Sequence, residues 1–119
     1  MNILFDYLYR DAGNNKLYGS VIFRGLSNLP IHIMLNEVET YLYQRIYFIP
    51  ELLGVPRLKF EKYNEDLDHI WHEFDSISKT TRPLMDNRDF SEIINSLKHK
   101  PQFLISQEEF EEIEKSLTQ

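Results

Sequence analysis

Cysteine is absent from this 119-residue chain, which excludes a disulfide framework, a thiolate nucleophile and any zinc site built on sulfur. Long apolar runs are absent too: none approaches the ~18 residues of a membrane-spanning helix. Glycine and proline are sparse, at four and five, while 42% of the residues are hydrophobic, so the chain has apolar material for a packed core and no compositional sign of disorder. The opening MNILFDYLYRD lacks a cationic leader segment and a small-residue cleavage site, so no signal peptide is expected and a cytoplasmic location fits. Phosphate cradles of the Gly-x-x-x-x-Gly-Lys type, Gly-x-Ser-x-Gly elbows and dinucleotide fingerprints do not occur. At this length one domain is expected.

Basic residues are the minority, and the net charge is −6. The excess of acid is not spread evenly. Residues 64–75 hold five acids and no base, and residues 106–119 hold five glutamates against Lys115, whereas the rest of the chain is slightly basic. Two acidic patches repel phosphates, which disfavours nucleic acid as a partner and favours a cationic one.

What is present is aromatic and patterned. In NILFDYLYR, Ile3, Phe5, Tyr7 and Tyr9 alternate with Leu4, Asp6, Leu8 and Arg10, and after DAGNNK the segment KLYGSVIFRG resumes that character. Strands over 2–10 and 17–24, paired as a hairpin, are expected. Ile31, Met34, Leu35, Val38, Tyr41, Leu42 and Ile46 have amphipathic-helix spacing, predicting a long helix over 30–46 that Ser27 or Asn28 can cap. RLKFEKY reads as a third strand over 57–63. Asp89 with Glu92, and Ser106 with Glu109, mark the starts of two C-terminal helices. The expected fold class is α+β: an antiparallel sheet of about four strands in ββαββ order, covered by the long helix, with two C-terminal helices. The expected core comprises Phe5, Val21, Phe23, Leu35, Val38, Leu42, Phe60, Ile70, Phe74, Ile94 and Leu97.

The segment NEDLDHIWHEFDSIS, residues 64–78, fits two templates. As a helix it presents Leu67, Ile70, Trp71, Phe74 and Ile77 on one stripe; as a strand it sends Ile70 and Phe74 one way and Trp71 and Ile77 the other. The strand is favoured because 57–63 needs a neighbour. The choice matters for chemistry, since His69, His72 and Glu73 are residue types that hold divalent metals but share one face only on a helix. A small metal-dependent hydrolase or nuclease using them with a nearby aspartate is one reading. A solvated strand rim, or a partner-binding surface around Glu65, Asp66, Asp68 and Trp71, is the other.

YRDAGNNKLYGSVIF, FIPELLGVPRL and DHIWHEF together resemble the motifs of a group of short bacterial proteins of unknown function that share an aromatic hairpin and a WHE segment. The resemblance covers residues 3–75. It implies a bacterial cytoplasmic protein and brings no activity with it.

Two further candidates stand beside that segment. The hairpin tip from Tyr9 to Lys16 mixes charges, amides and a glycine, as binding loops do, yet a turn needs the same residues for backbone reasons. Tyr43 and Tyr47 fall four apart on the polar side of the expected helix, so they form an exposed aromatic pair suited to an interface. The balance favours an accessory or immunity-type binding module that engages a protein partner, or itself as a homodimer, without a cofactor.

Overall fold

A computed structural model of the chain describes residues 1–118. β1 (Asn2–Arg10) and β2 (Lys16–Phe23) pair antiparallel from Ile3↔Phe23 to Arg10↔Lys16, as the alternation predicts. Ile3, Phe5, Tyr7 and Tyr9 all lie buried on one face of β1, because successive strand side chains point to opposite sides. The tip joining the strands is turn chemistry. Asp11 Oδ1 accepts the N–H groups of Gly13 and Asn15 at 2.9 Å each, and Asn14 takes a left-handed φ of 67°. Burial would raise the Asp11 carboxyl, but these bonds from Asn15 and Gly13 outweigh it and hold the group below the usual carboxylate range.

β1 lies inside the sheet. Its second edge pairs antiparallel with β4 (His72–Thr80), and the far edge of β4 carries β3 (Tyr47–Phe48), giving the order β2-β1-β4-β3. The fold is therefore α+β, with a four-stranded antiparallel sheet and four α-helices among the described residues. The third strand differs from the expected one, since Tyr47–Phe48 takes that place and RLKFEKY forms no strand. Side chains rather than a ladder hold the chain there. The Pro56 carbonyl accepts from the Tyr7 hydroxyl at 2.6 Å, and the Leu58 N–H donates to His72 Nε2 at 2.8 Å. Leu58 then lies over Gly19 of β2, where a Cβ would come within 2.9 Å of its methyl group. The second expected hairpin is replaced by a loop laid across the core face of the sheet.

The pairing of β1 with β4 shifts register between Asp6 and Tyr7: Asp6 faces Ser76 and Tyr7 faces Phe74. Asp75 is the extra residue of this bulge, and it is exposed. The shift puts Phe74 and Ile77, three apart, into the same core cluster, instead of on the opposite faces that strict alternation requires. The expected strand over 64–78 is thus realised only from His72 on: the bulge accounts for the spacing of Phe74 and Ile77, while Leu67, Ile70 and Trp71 lie in the turn over 65–67 and the loop that follows it.

α1 (Ile31–Thr40) ends six residues earlier than its apolar spacing predicts and is no longer than α3 (Phe90–His99) or α4 (Gln107–Ser116), ten residues each. Gln44 and Arg45 take left-handed φ values of 52° and 63°, and Tyr43 and Tyr47 exchange N–H···O bonds of 2.9 Å, which closes a tight turn where helix was expected. At the other end Pro30 is the N-cap and no side chain caps the helix, so neither Ser27 nor Asn28 does so. α2 (Pro50–Leu53) is a single turn ended by Gly54 at φ 65°. The C-terminal capping signals are realised: Asp89 and Glu92 form a complete capping box, and Ser106 accepts the Glu109 N–H. Of the eleven expected core residues nine are buried, whereas Leu35 and Phe60 are only partly so.

Behind α3, Gln102 is buried and ties the C-terminal segment to the sheet. Its Oε1 accepts the Ile49 N–H at 2.8 Å, and its own N–H donates to the Tyr41 carbonyl at 2.8 Å. Gln102→Leu leaves the buried Ile49 donor without its acceptor and is expected to destabilise the fold by about 1–3 kcal/mol in urea denaturation. An unchanged midpoint would show that this bond is dispensable.

Candidate functional site

The residues of DHIWHEFD are for the most part committed to holding the chain. Asp68 accepts the Tyr9 hydroxyl at 2.7 Å through Oδ1 and the Asn64 N–H at 2.8 Å through Oδ2. His69 accepts the Trp71 backbone N–H at Nδ1, 3.1 Å away, so its Nε2 carries the hydrogen and donates to the Arg10 carbonyl at 2.8 Å. Glu73 pairs with Arg10, with Nε to Oε2 at 2.9 Å. His72 is fully buried beside the rings of Tyr7, Tyr9 and Phe48. His69, His72 and Glu73 therefore do not converge, and among the described residues no group of three His, Asp or Glu side chains is placed to hold a metal ion. Burial, and after it the Arg57 cation, lower the His72 pKa to about 3, so the ring is neutral with its Nε2 lone pair on Leu58. Its Nδ1 has no hydrogen-bond partner among the described residues; the Trp71 carbonyl favours the protonated ring but is not placed to accept from it.

The structure brings Trp71, Tyr43 and Tyr47 together. Trp71 stacks on Tyr43 with centroids 5.2 Å apart and planes 27° from parallel, and Tyr47 lies 6.4 Å beyond Tyr43. The tyrosines meet through the tight turn at 43–47 rather than along a helix. Phe110 of α4 also neighbours Trp71, at 6.2 Å. Tyr43 is 40% exposed and Phe103 50%, whereas Trp71, Tyr47 and Phe110 are partly buried, so of the expected exposed tyrosine pair only Tyr43 is exposed. The aromatic face holds two adjoining depressions. One of about 310 Å³ is lined by Tyr43, Tyr47, His69 and Trp71, and one of about 250 Å³ involves Trp71, Phe103 and Phe110.

Glu65 and Asp66 are exposed in the turn that leads into this face. Asp68 belongs to the scaffold instead, because both its oxygens are engaged. Phe103 and Phe110 are members of the face that sequence reasoning does not name. A signal for Phe110 exists in the amphipathic spacing of α4, a helix with no buried residue of its own. A further cleft of about 270 Å³ runs between residues 57–63 and the end of α4, but its polar walls at Tyr9, Asp68 and His69 are the bonded groups just described. None of the described helices is long and apolar enough to cross a membrane. No family model matches the chain, and no curated protein or solved structure matches it either, so the functional reading rests on this geometry.

Proposed function

We propose that the chain is a binding module, an accessory or immunity-type protein that engages a protein partner through the aromatic face of Tyr43, Tyr47 and Trp71 and the acidic turn at Glu65 and Asp66. The observation that supports this reading most is the stack of the partly buried Trp71 on the exposed Tyr43, flanked by Tyr47 and Phe110. Large rings carry most interface energy when a partner covers them, and they lose little side-chain entropy in doing so. Exposed acids in the turn that precedes Trp71 in the chain steer a cationic surface, an effect that acts on encounter rate more than on final affinity and weakens with salt. The bacterial cytoplasmic setting implied by the sequence resemblance belongs to the same proposal, and pairing with a second copy would use the same rings.

The test compares the wild-type chain with Trp71→Ala and with Glu65→Lys, Asp66→Lys, leaving Asp68 intact because it anchors the loop. Recovery of a protein partner from host extract on immobilised chain is expected at low ionic strength. It should fall at moderate salt and be lost in the Trp71 variant, while sedimentation reports self-association directly. Equal recovery by all three proteins would remove this face from the interface. Enrichment of nucleic acid in place of protein would overturn the reading of the charge distribution.

A further inference from the structure

We infer that the depression walled by Tyr43, Tyr47, His69 and Trp71 is a binding site for an organic cation, presented by the partner as a lysine or arginine side chain. The inference rests on the partner-binding reading above. It names the group that the aromatic face receives.

All four lining residues carry a π system, and none brings a free positive charge to the site. His69 enters with both ring nitrogens engaged: one takes the Trp71 backbone N–H and the other bonds the Arg10 carbonyl. Arg10, on β1 and separated from Tyr47 of β3 by β4, has its guanidinium on Glu73 and on Asn14 and does not line the depression, nor does Arg45 of the 43–47 turn. Aromatic faces are electron-rich, and a cation seated within ~6 Å of several ring centroids is attracted by each of them.

The rings are also fixed in place before any ligand arrives. Gln44 and Arg45 hold left-handed backbone conformations that side chains other than glycine's rarely adopt, and this strained turn sets Tyr43 beside Tyr47. On the opposite wall the bonds from the Trp71 backbone N–H and to the Arg10 carbonyl fix the His69 ring, and the Trp71 ring is held by its contacts with Tyr43 and Phe110. Strain retained between an exposed ring and a partly buried one fits a preorganised site better than it fits an idle surface turn.

Charge decides the class of occupant. None of the five acids of the segment that supplies His69 and Trp71 lines the depression, and Glu73 is paired with Arg10, but Glu65, Asp66 and Asp75 are exposed without a salt bridge and the chain as a whole is at −6. An anionic ligand is repelled there, and a neutral apolar one gains nothing from the field.

The chain's only tryptophan is Trp71, so its fluorescence reports the site directly. Choline serves as the cation probe and 3,3-dimethylbutan-1-ol, which replaces its nitrogen with carbon, as the neutral match in shape. Choline is expected to shift the emission saturably in the millimolar range, and the alcohol about tenfold more weakly. Nα-acetyl-lysine amide and Nα-acetyl-arginine amide then show which side chain is preferred. Tyr47→Leu should abolish the choline response with circular dichroism unchanged; Tyr43→Leu is the second variant should that protein fail to fold. Equal responses to choline and the alcohol would overturn the cation site and leave only an apolar depression, and so would no saturable response to choline. Either failure, with partner recovery still dependent on Trp71, would leave the binding-module reading standing; loss of that dependence would remove the binding-module reading itself.

Discussion

Phe5→Ala is expected to destabilise the protein by about 3–5 kcal/mol, the range for removing a fully packed ring from a core. Phe5 is buried at the middle of β1, with the rings of Tyr7, Phe48, Phe74, Phe23 and Phe90 between 5.5 and 6.3 Å from its own. Those five rings come from β1 itself, β2, β3, β4 and the start of α3, so the cavity left by truncation touches every strand of the sheet. A domain of this size has about 5–15 kcal/mol in total, so the variant should be near the edge of folding. Thermal denaturation should show a drop of roughly 10–20 °C. Phe5→Leu, which keeps most of the volume, should lose less than half as much. A loss below about 1 kcal/mol for the alanine variant would mean that the aromatic cluster does not organise the core.

The second large effect is acid sensitivity set by His72. With a pKa of about 3 in the fold against 6.5 when free, the unfolded chain binds more protons between those values. The stabilising contribution is fully present above pH 6.5 and declines as pH falls toward 3, at about 1.4 kcal/mol per unit, or roughly 3 kcal/mol by pH 4.5. The cause is local: protonating Nε2 removes the acceptor of the Leu58 N–H and places a charge in a ring with no solvent access, close to Arg57. The carboxylates of Glu51, Asp86 and Asp89 are held below their usual range, so their contributions fade only at lower pH and leave the window from 6.5 to 4.5 to His72. Urea titrations across that window should show the slope in the wild type. His72→Gln keeps an acceptor for Leu58 and cannot titrate, so its slope should be flat. Parallel slopes in the two proteins would assign the acid sensitivity elsewhere.

Features governed by neighbours in the chain were legible in the sequence. Alternation located β1 and β2, and the pairs Asp89/Glu92 and Ser106/Glu109 located the two C-terminal helices. Features governed by distant partners were not. RLKFEKY has strand-like alternation, but its Leu58 N–H goes to His72 and the Pro56 carbonyl just ahead of it accepts from Tyr7, both far away in the chain. Gln44 and Arg45 carry no mark of the left-handed turn they form, so the periodicity of α1 ran on past Thr40. At the candidate site, spacing could suggest that Tyr43 and Tyr47 pair. Nothing local could place Trp71 on Tyr43 or Phe110 on Trp71, since those contacts depend on where the sheet and α4 come to rest.

The placement of β1 between β2 and β4 has a consequence for the chain as it is made. β2 follows β1 after a five-residue turn, so the hairpin closes early, whereas the other edge of β1 pairs only with residues 73–80. Until that stretch leaves the ribosome, β1 exposes a row of free N–H and C=O groups along an apolar strand, the arrangement that invites pairing with another chain. A product truncated ahead of β4 keeps that open edge permanently, and its hazard is association with its own kind rather than simple loss of structure.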